Sequence, residues 1–276
     1  MYKVMFFLGL LISLPFGVQA QENTLTFGVV PQQSAKRLAA LWTPVLQHIS
    51  QETGINIVFS TAKDIPTFEK RLKSGEYDIA YMNPYHYVVF NKTTGYNAIA
   101  KQTDKTIKGV IVARANGDIK TINDLEGSRL AFPAPASFAA TILPQAELNK
   151  LGITFTSMYV SSHDSVYLNV SKGFFLAGGG IERTLNNMPE EIKSTLVTIW
   201  QSEKYTSHAI ATHPRVDNGY REKILASLMN MNDTEEGMAL LKHINFKGFE
   251  AAVNKDWDDV RSLHIQTQIS INQEKE

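Results

Sequence analysis

The sequence predicts an α/β protein in two lobes, each a mostly parallel sheet flanked by helices, with a cleft between them. Three observations lead there. Short β-rich apolar runs alternate with runs of helical spacing, the pattern of parallel strands joined by crossover helices. Glycine and proline sit where these runs should stop. A second unit opens near Asn116, and 276 residues at 43% hydrophobic can fill one large core or two medium ones.

The elements follow in order. Leu25 to Val30 is a strand ended by Pro31. Ser34 is placed to cap a helix from Ala35 to Thr53, in which Leu38, Leu41, Trp42, Val45, Leu46 and Ile49 share one face; Gly54 is its expected C-cap. Ile55 to Ser60 is a strand, and Ile65 to Ser74 a short helix closed by Gly75. Tyr77 to Met82 is a strand broken by Asn83-Pro84, after which a helix begins. Ala98 to Lys101 and Lys108 to Arg114 are strands. In the second unit, Leu130 to Phe132 and Thr156 to Val160 are strands, with helices over Phe138 to Leu151 and Ser165 to Ser171. An apolar segment from Phe174 ends in Gly178-Gly179-Gly180. Leu196 to Trp200 and His208 to His213 are strands; Asp217 to Met231, Glu235 to Lys242 and Trp257 to Leu263 are helices; Phe246 to Phe249 is a loop. Residues 266–276 form a polar tail.

The N-terminus is of another kind. Lys3 precedes an apolar run, Val4 to Gly17, and Val18-Gln19-Ala20 supplies the small residues of a cleavage site. Residues 1–20 read as a secretory signal cut after Ala20; the run is short for a spanning helix. The chain has no cysteine, hence no disulfide and no lipidated cysteine after the apolar run, which fits a bacterial periplasm. Lys plus Arg and Asp plus Glu both number 27, so the basic excess of a nucleic-acid binder is missing.

Ligands of α/β sheets bind beyond the carboxyl ends of strands, where helix N-termini offer free N–H groups to anions. Four turns have that character: Pro31 to Ala35, Met82 to Tyr87, Pro135 to Ala139 and Ser161 to Ser165. Ser137, with the N–H groups of Phe138 and Ala139, is the first candidate; a plain helix cap is the other reading. Tyr81 and Tyr85 combine apolar bodies with polar tips and suit a pocket wall or a core. His163 is a candidate anion contact beside Ser162, and Asp164 a helix cap. The glycine run 178–180 allows close backbone approach to a ligand or a strand. Ser, His and Asp at 162–164 are too nearly consecutive for a hydrolase triad, and no nucleophile elbow, Walker loop, dinucleotide fingerprint or helical metal-binding pair occurs. No cofactor or metal is expected.

The segments GVVPQ (28–32), LKSGEYDIAYMNPYHYV (72–88), IKTINDLEGSRLAFPAPAS (119–137) and SSHDSV (161–166) resemble the periplasmic phosphate/phosphite/phosphonate-binding proteins of ABC importers. The resemblance covers about Leu25 to Ile265. It implies a type II periplasmic-binding fold, with lobe 1 at 21–113 plus 208–265 and lobe 2 at 114–207. It further implies a small anionic ligand held by Tyr81 and Tyr85 from one lobe and by Ser137 and His163 from the other, no catalysis, and delivery to an ABC permease; with the N–H groups of Phe138 and Ala139 and with Ser162 these complete the expected site of a monomer. A membrane signalling receptor is the alternative partner. Two departures stand out. Phe138-Ala139-Ala140 replaces further hydroxyl residues, and Leu176 stands where many members carry an acidic residue, which implies a changed ligand preference.

Overall fold

The computed structural model describes residues 24–265; the expected signal segment, its cleavage site and the polar tail lie outside the described residues. The strands are β1 (Thr24–Val29), β2 (Asn56–Ser60), β3 (Ile79–Met82), β4 (Asn97–Gln102), β5 (Thr106–Ile107), β6 (Gly109–Arg114), β7 (Ser128–Phe132), β8 (Phe155–Tyr159), β9 (Ala177–Ile181), β10 (Leu196–Gln201), β11 (Tyr205–Thr206), β12 (Ala209–Thr212) and β13 (Phe249–Ala251). The principal helices are α1 (Ala35–Thr53), α2 (Ile65–Lys73), α3 (Pro84–Thr93), α4 (Leu143–Lys150), α5 (His163–Ser171) and α6 (Glu182–Asn186).

Local chemistry explains the boundaries. Ser34 accepts from the Arg37 N–H and starts α1, and Gly54 ends it in the left-handed region at φ 69°. Asn83 accepts from the His86 N–H at 2.8 Å and starts α3, with Pro84 at the first helical position. The helix expected from Phe138 begins as one π turn, Phe138–Ile142, because Pro144 within the next turn cannot donate to an ordinary ladder.

Three sheets result. A six-stranded sheet runs β13-β4-β12-β3-β1-β2, a five-stranded sheet β10-β6-β9-β7-β8, and β5 pairs with β11 in a two-stranded ribbon between them. The two lobes are as expected, but the sheets are mixed rather than mostly parallel. β1 with β2 and β3, and β7 with β8 and β9, are parallel. The strands that cross between lobes enter the other way: β6 runs antiparallel to β9 and β10, and β12 antiparallel to β3 and β4. The sheets also change over earlier than the expected 113/114 boundary. β6 belongs wholly to the second sheet, because the chain turns through the ribbon at Thr106–Ile107 before reaching it. β13, expected as loop, pairs with β4 and supplies an antiparallel edge.

The glycine run is explained by packing rather than by a ligand. Alternate residues of a strand face opposite sides. A Cβ at Gly180 would strike the Tyr167 hydroxyl on α5, and one at Gly179 would run into the Ala140 carbonyl oxygen on the other face. The strand therefore lets two helical segments lie directly on its backbone, and one of them is the segment that begins at Ser137.

Candidate functional site

Four parallel strands point their carboxyl ends at the gap between the lobes. β1 leads to Gln32 and β3 to Asn83 on lobe 1, while β7 leads to Ser137 and β8 to His163 on lobe 2; β9 also ends here, at Arg183. The ribbon delivers Ser207 and His208 to the same place. Gln32, Asn83, Ser137, His163, Ser207 and His208 are all buried.

Gln32 lies at the centre. Its Oε1 accepts from Arg183 Nη2 at 2.5 Å, and its Nε2 is 2.9 Å from His208 Nε2. Its carbonyl oxygen accepts from the His163 N–H at 3.3 Å. A guanidinium only donates, so the amide oxygen must face Arg183 and the amide nitrogen must face His208. His208 Nε2 is then the acceptor, which requires a neutral ring. Its electrostatics agree: burial first, and then the charge of Arg183, hold His208 well below the usual histidine range. Burial first and then Arg183 lower His163 to about 3. Tyr81, raised chiefly by burial, stays a neutral phenol and stacks on His208 with ring centroids 4.9 Å apart.

An open cavity of ≈ 270 Å³ adjoins this centre on the hinge side. Tyr81, Gln102 and His208 of lobe 1, Arg183 of lobe 2 and Ser207 at the boundary between the lobes line it inside. Lys105, Lys108 and Lys204 stand around it with Asp104 and Glu182, so cations outnumber carboxylates. Ser207 Oγ is buried without a hydrogen-bond partner. The lining thus combines four cations, of which Arg183 and Lys108 are half-buried, with a spare hydroxyl and neutral imidazole and phenol groups. That set suits an anion whose oxygens accept hydrogen bonds.

The expected site residues fall into four groups. Tyr81 lines the cavity. Ser137 and His163 meet each other, Ser137 Oγ to His163 Nε2 at 3.4 Å, and neither lines the cavity; the His163 N–H donates to the Gln32 carbonyl. Ser137 makes no capping bond, so the cap reading fails for it. Phe138 and Ala139 are buried in the apolar cluster that joins the lobes, the Phe138 ring edge-on to Tyr205. Tyr85 is buried in that cluster too and lines a separate groove with Val88, Arg261 and His264. Ser162, not Asp164, caps α5: its Oγ accepts from the Ser165 N–H at 3.1 Å. Asp164 faces lobe 1, where burial raises its carboxyl against the lowering effects of Arg37 and Gln33.

Leu176 does not mark a missing ligand carboxylate. It is 45% exposed just before β9, about five residues and ~16 Å of strand from the cleft end at Ile181. Gln32, Ser207 and His208 were not assigned from the sequence as ligand contacts, and Arg183 stood out only as one of several cations able to serve as electrostatic partners. Only the first had a local signal, its place after a strand-ending proline. Nor does Ser137–His163 form an activated nucleophile. Thr184 Oγ1, not a carboxylate, lies 3.4 Å from His163 Nδ1, and a ring lowered to about 3 is a weak base near neutral pH.

Known proteins share this fold. The chain is 25% identical over 280 residues to the phosphonates-binding periplasmic protein of Escherichia coli, covering 96% of this chain and 82% of that one. It is 23% identical over 213 residues to the phosphate-import protein PhnD of Mycolicibacterium smegmatis, covering 69% of this chain and 66% of that protein. Its fold matches the structure of PhnD1 from Prochlorococcus marinus in complex with methylphosphonate, at a TM-score of 0.80 and 18% identity over 88% of this chain and 97% of that one. The family of periplasmic substrate-binding proteins of phosphonate ABC transporters matches residues 27–257, and the chain belongs to it.

Proposed function

We propose that this protein captures a small phosphate-, phosphite- or phosphonate-type oxyanion in the interlobe cleft and presents it to an ABC permease. The Arg183 guanidinium carries this reading: it shares the cavity with the unpartnered Ser207 hydroxyl, the neutral Tyr81 and His208 rings and three lysines. The ligand takes that charge while contacting Tyr81 of lobe 1 and Ser207 at the lobe boundary, so its contacts bridge the lobes and favour the closed form. Ser137 and His163 back the lobe 2 wall, with Phe138 and Ala139 packing behind them. Three or four charge-assisted hydrogen bonds at about 1.5–3 kcal/mol each give affinities in the micromolar range after association costs. One chain supplies both walls of the cleft, so a monomer suffices. Residues 1–20 direct it to the periplasm and are removed after Ala20.

Thermal melting of the mature protein against phosphate, phosphite, methylphosphonate, sulfate and amino acids tests the reading. Phosphorus oxyanions at 100 times Kd are expected to stabilise by about 2.7 kcal/mol through mass action. Stabilisation by amino acids alone would remove the oxyanion assignment. Arg183→Met is expected to weaken oxyanion binding by roughly 30-fold or more, read by calorimetric titration, since it removes the guanidinium that shares the cavity with Ser207 and Tyr81. An unchanged Kd would place the anion elsewhere.

A further inference from the structure

We infer that the ligand is a phosphorus oxyanion that carries a second acidic group, as a phosphonocarboxylate does. Arg183, Ser207 and Tyr81 take the phosphorus head, and Lys108 and Lys204 on the hinge ribbon take the other acid. This narrows the ligand class of the proposed function and rests on that function.

The ribbon supplies the main observation. β5 pairs antiparallel with β11, Thr106 against Thr206 and Ile107 against Tyr205. One step further along that register sets Lys108 opposite Lys204. Both line the cavity. Like charges directly opposite each other on paired strands are destabilising. An anion seated between the two ammonium groups converts that repulsion into two attractions.

The protein does not neutralise these charges itself. Among the described residues, no ion pair is formed by Arg183, Lys105, Lys108 or Lys204. Lys108 Nζ donates to the Gln201 carboxamide oxygen at 2.9 Å, a neutral acceptor that a carboxylate outcompetes. Asp104 and Glu182 also line the cavity, but both are exposed, and the lining keeps two cations in excess. A single phosphonate answers Arg183 beside the buried Ser207 and Tyr81. The lysines of the ribbon call for a second negative group on the same molecule.

Size agrees with charge. The cavity of ≈ 270 Å³ has the volume of about nine waters at ~30 Å³ each, roughly twice the number of heavy atoms in methylphosphonate. A cationic end group would be repelled by the two lysines, and an apolar one would leave both without a counter-charge.

Calorimetric titration of the mature protein tests this with three probes of similar length. 3-Phosphonopropionate ends in a carboxylate, propylphosphonate in a methyl group and 2-aminoethylphosphonate in an ammonium. The carboxylate compound is expected to bind about tenfold tighter than propylphosphonate, the gain that two solvent-facing charge pairs supply. Raising the salt concentration should shrink that advantage. The ammonium compound should bind most weakly of the three. In the Lys108→Met/Lys204→Met double variant the ratio of the first two Kd values should fall to about one.

A 3-phosphonopropionate that binds no tighter than propylphosphonate would overturn the second subsite while leaving the oxyanion reading in place. So would tightest binding of 2-aminoethylphosphonate, or a carboxylate advantage that survives in the double variant. If phosphate, methylphosphonate and all three probes fail to bind wild type, the oxyanion reading itself falls and takes this inference with it.

Discussion

Gly179→Ala is expected to destabilise the protein by at least about 3 kcal/mol, the upper end of what overpacking costs in a closed core. The added methyl would meet the Ala140 carbonyl oxygen, with Phe132 ring carbons close behind. A side chain there might have swung aside; a carbonyl held in a helical turn does not. Relief requires the Phe138–Ile142 turn to lift off β9. That turn carries Ser137 and packs the lobe 2 wall of the cleft against lobe 1. The substitution should therefore lower the denaturant midpoint and also weaken ligand binding in the folded fraction. A loss under about 0.5 kcal/mol with normal binding would show that the turn is not seated on the strand as described.

Acid is the second large effect. His163 is held near 3 against about 6.5 in the unfolded chain, and His208 is lowered in the same sense. Both causes begin with burial, which disfavours the charged ring. Above pH 6.5 neither state binds a proton at these sites, so they contribute no slope. Between pH 6.5 and about 3 the unfolded state binds protons that the folded state refuses, so stability falls as pH drops. For His163 alone this amounts to about 2 kcal/mol at pH 5, and His208 adds to it. The half-buried carboxylate Asp78 has a lowered pKa and loses its contribution only at more acidic pH, whereas Asp164, raised by burial, acts with the opposite sign, so a decline from pH 6.5 to 5 carries the sign of the histidines. Urea unfolding at pH 7, 6 and 5 should show the decline, and His163→Asn should flatten it. A wild-type stability independent of pH across that interval would mean that the rings are not buried neutral.

These two expectations depend on features of different legibility. The α/β alternation, the caps at Ser34 and Asn83, the αL glycine at 54 and the segments resembling phosphonate-binding proteins are local, and a residue's near neighbours in the chain decide them. The expected strand and helix order survived almost unchanged for that reason. Sheet direction was not legible in the same way. A strand entering from the other lobe looks like any other apolar run, so β6 and β12 carried no mark of running antiparallel. The ribbon strands, two residues each, were too short to show a period at all.

The site divides along the same line. The turns at the ends of β1, β3, β7 and β8 were recognisable because strand-ending proline, asparagine and serine announce helix starts. Which side chains within and beyond those turns share a space was not. Tyr81 and Tyr85 are four residues apart, yet one stacks on His208 in the cleft and the other lines a groove with Arg261. Ser162 spends its hydroxyl on a cap while Ser137 does not. Gln32, Arg183 and His208 are separated by more than 20 residues at every step, and no spacing rule links them.

By itself the sequence determined the class of fold, the ends of its major elements and the family to which the chain belongs, because propensity, capping and periodicity act over a few residues. The tertiary structure alone decided which cation faces the cleft, which histidines stay neutral and what fills the gap between the lobes. Those are properties of burial and of contacts between distant segments, and neither exists until the two sheets have been brought together.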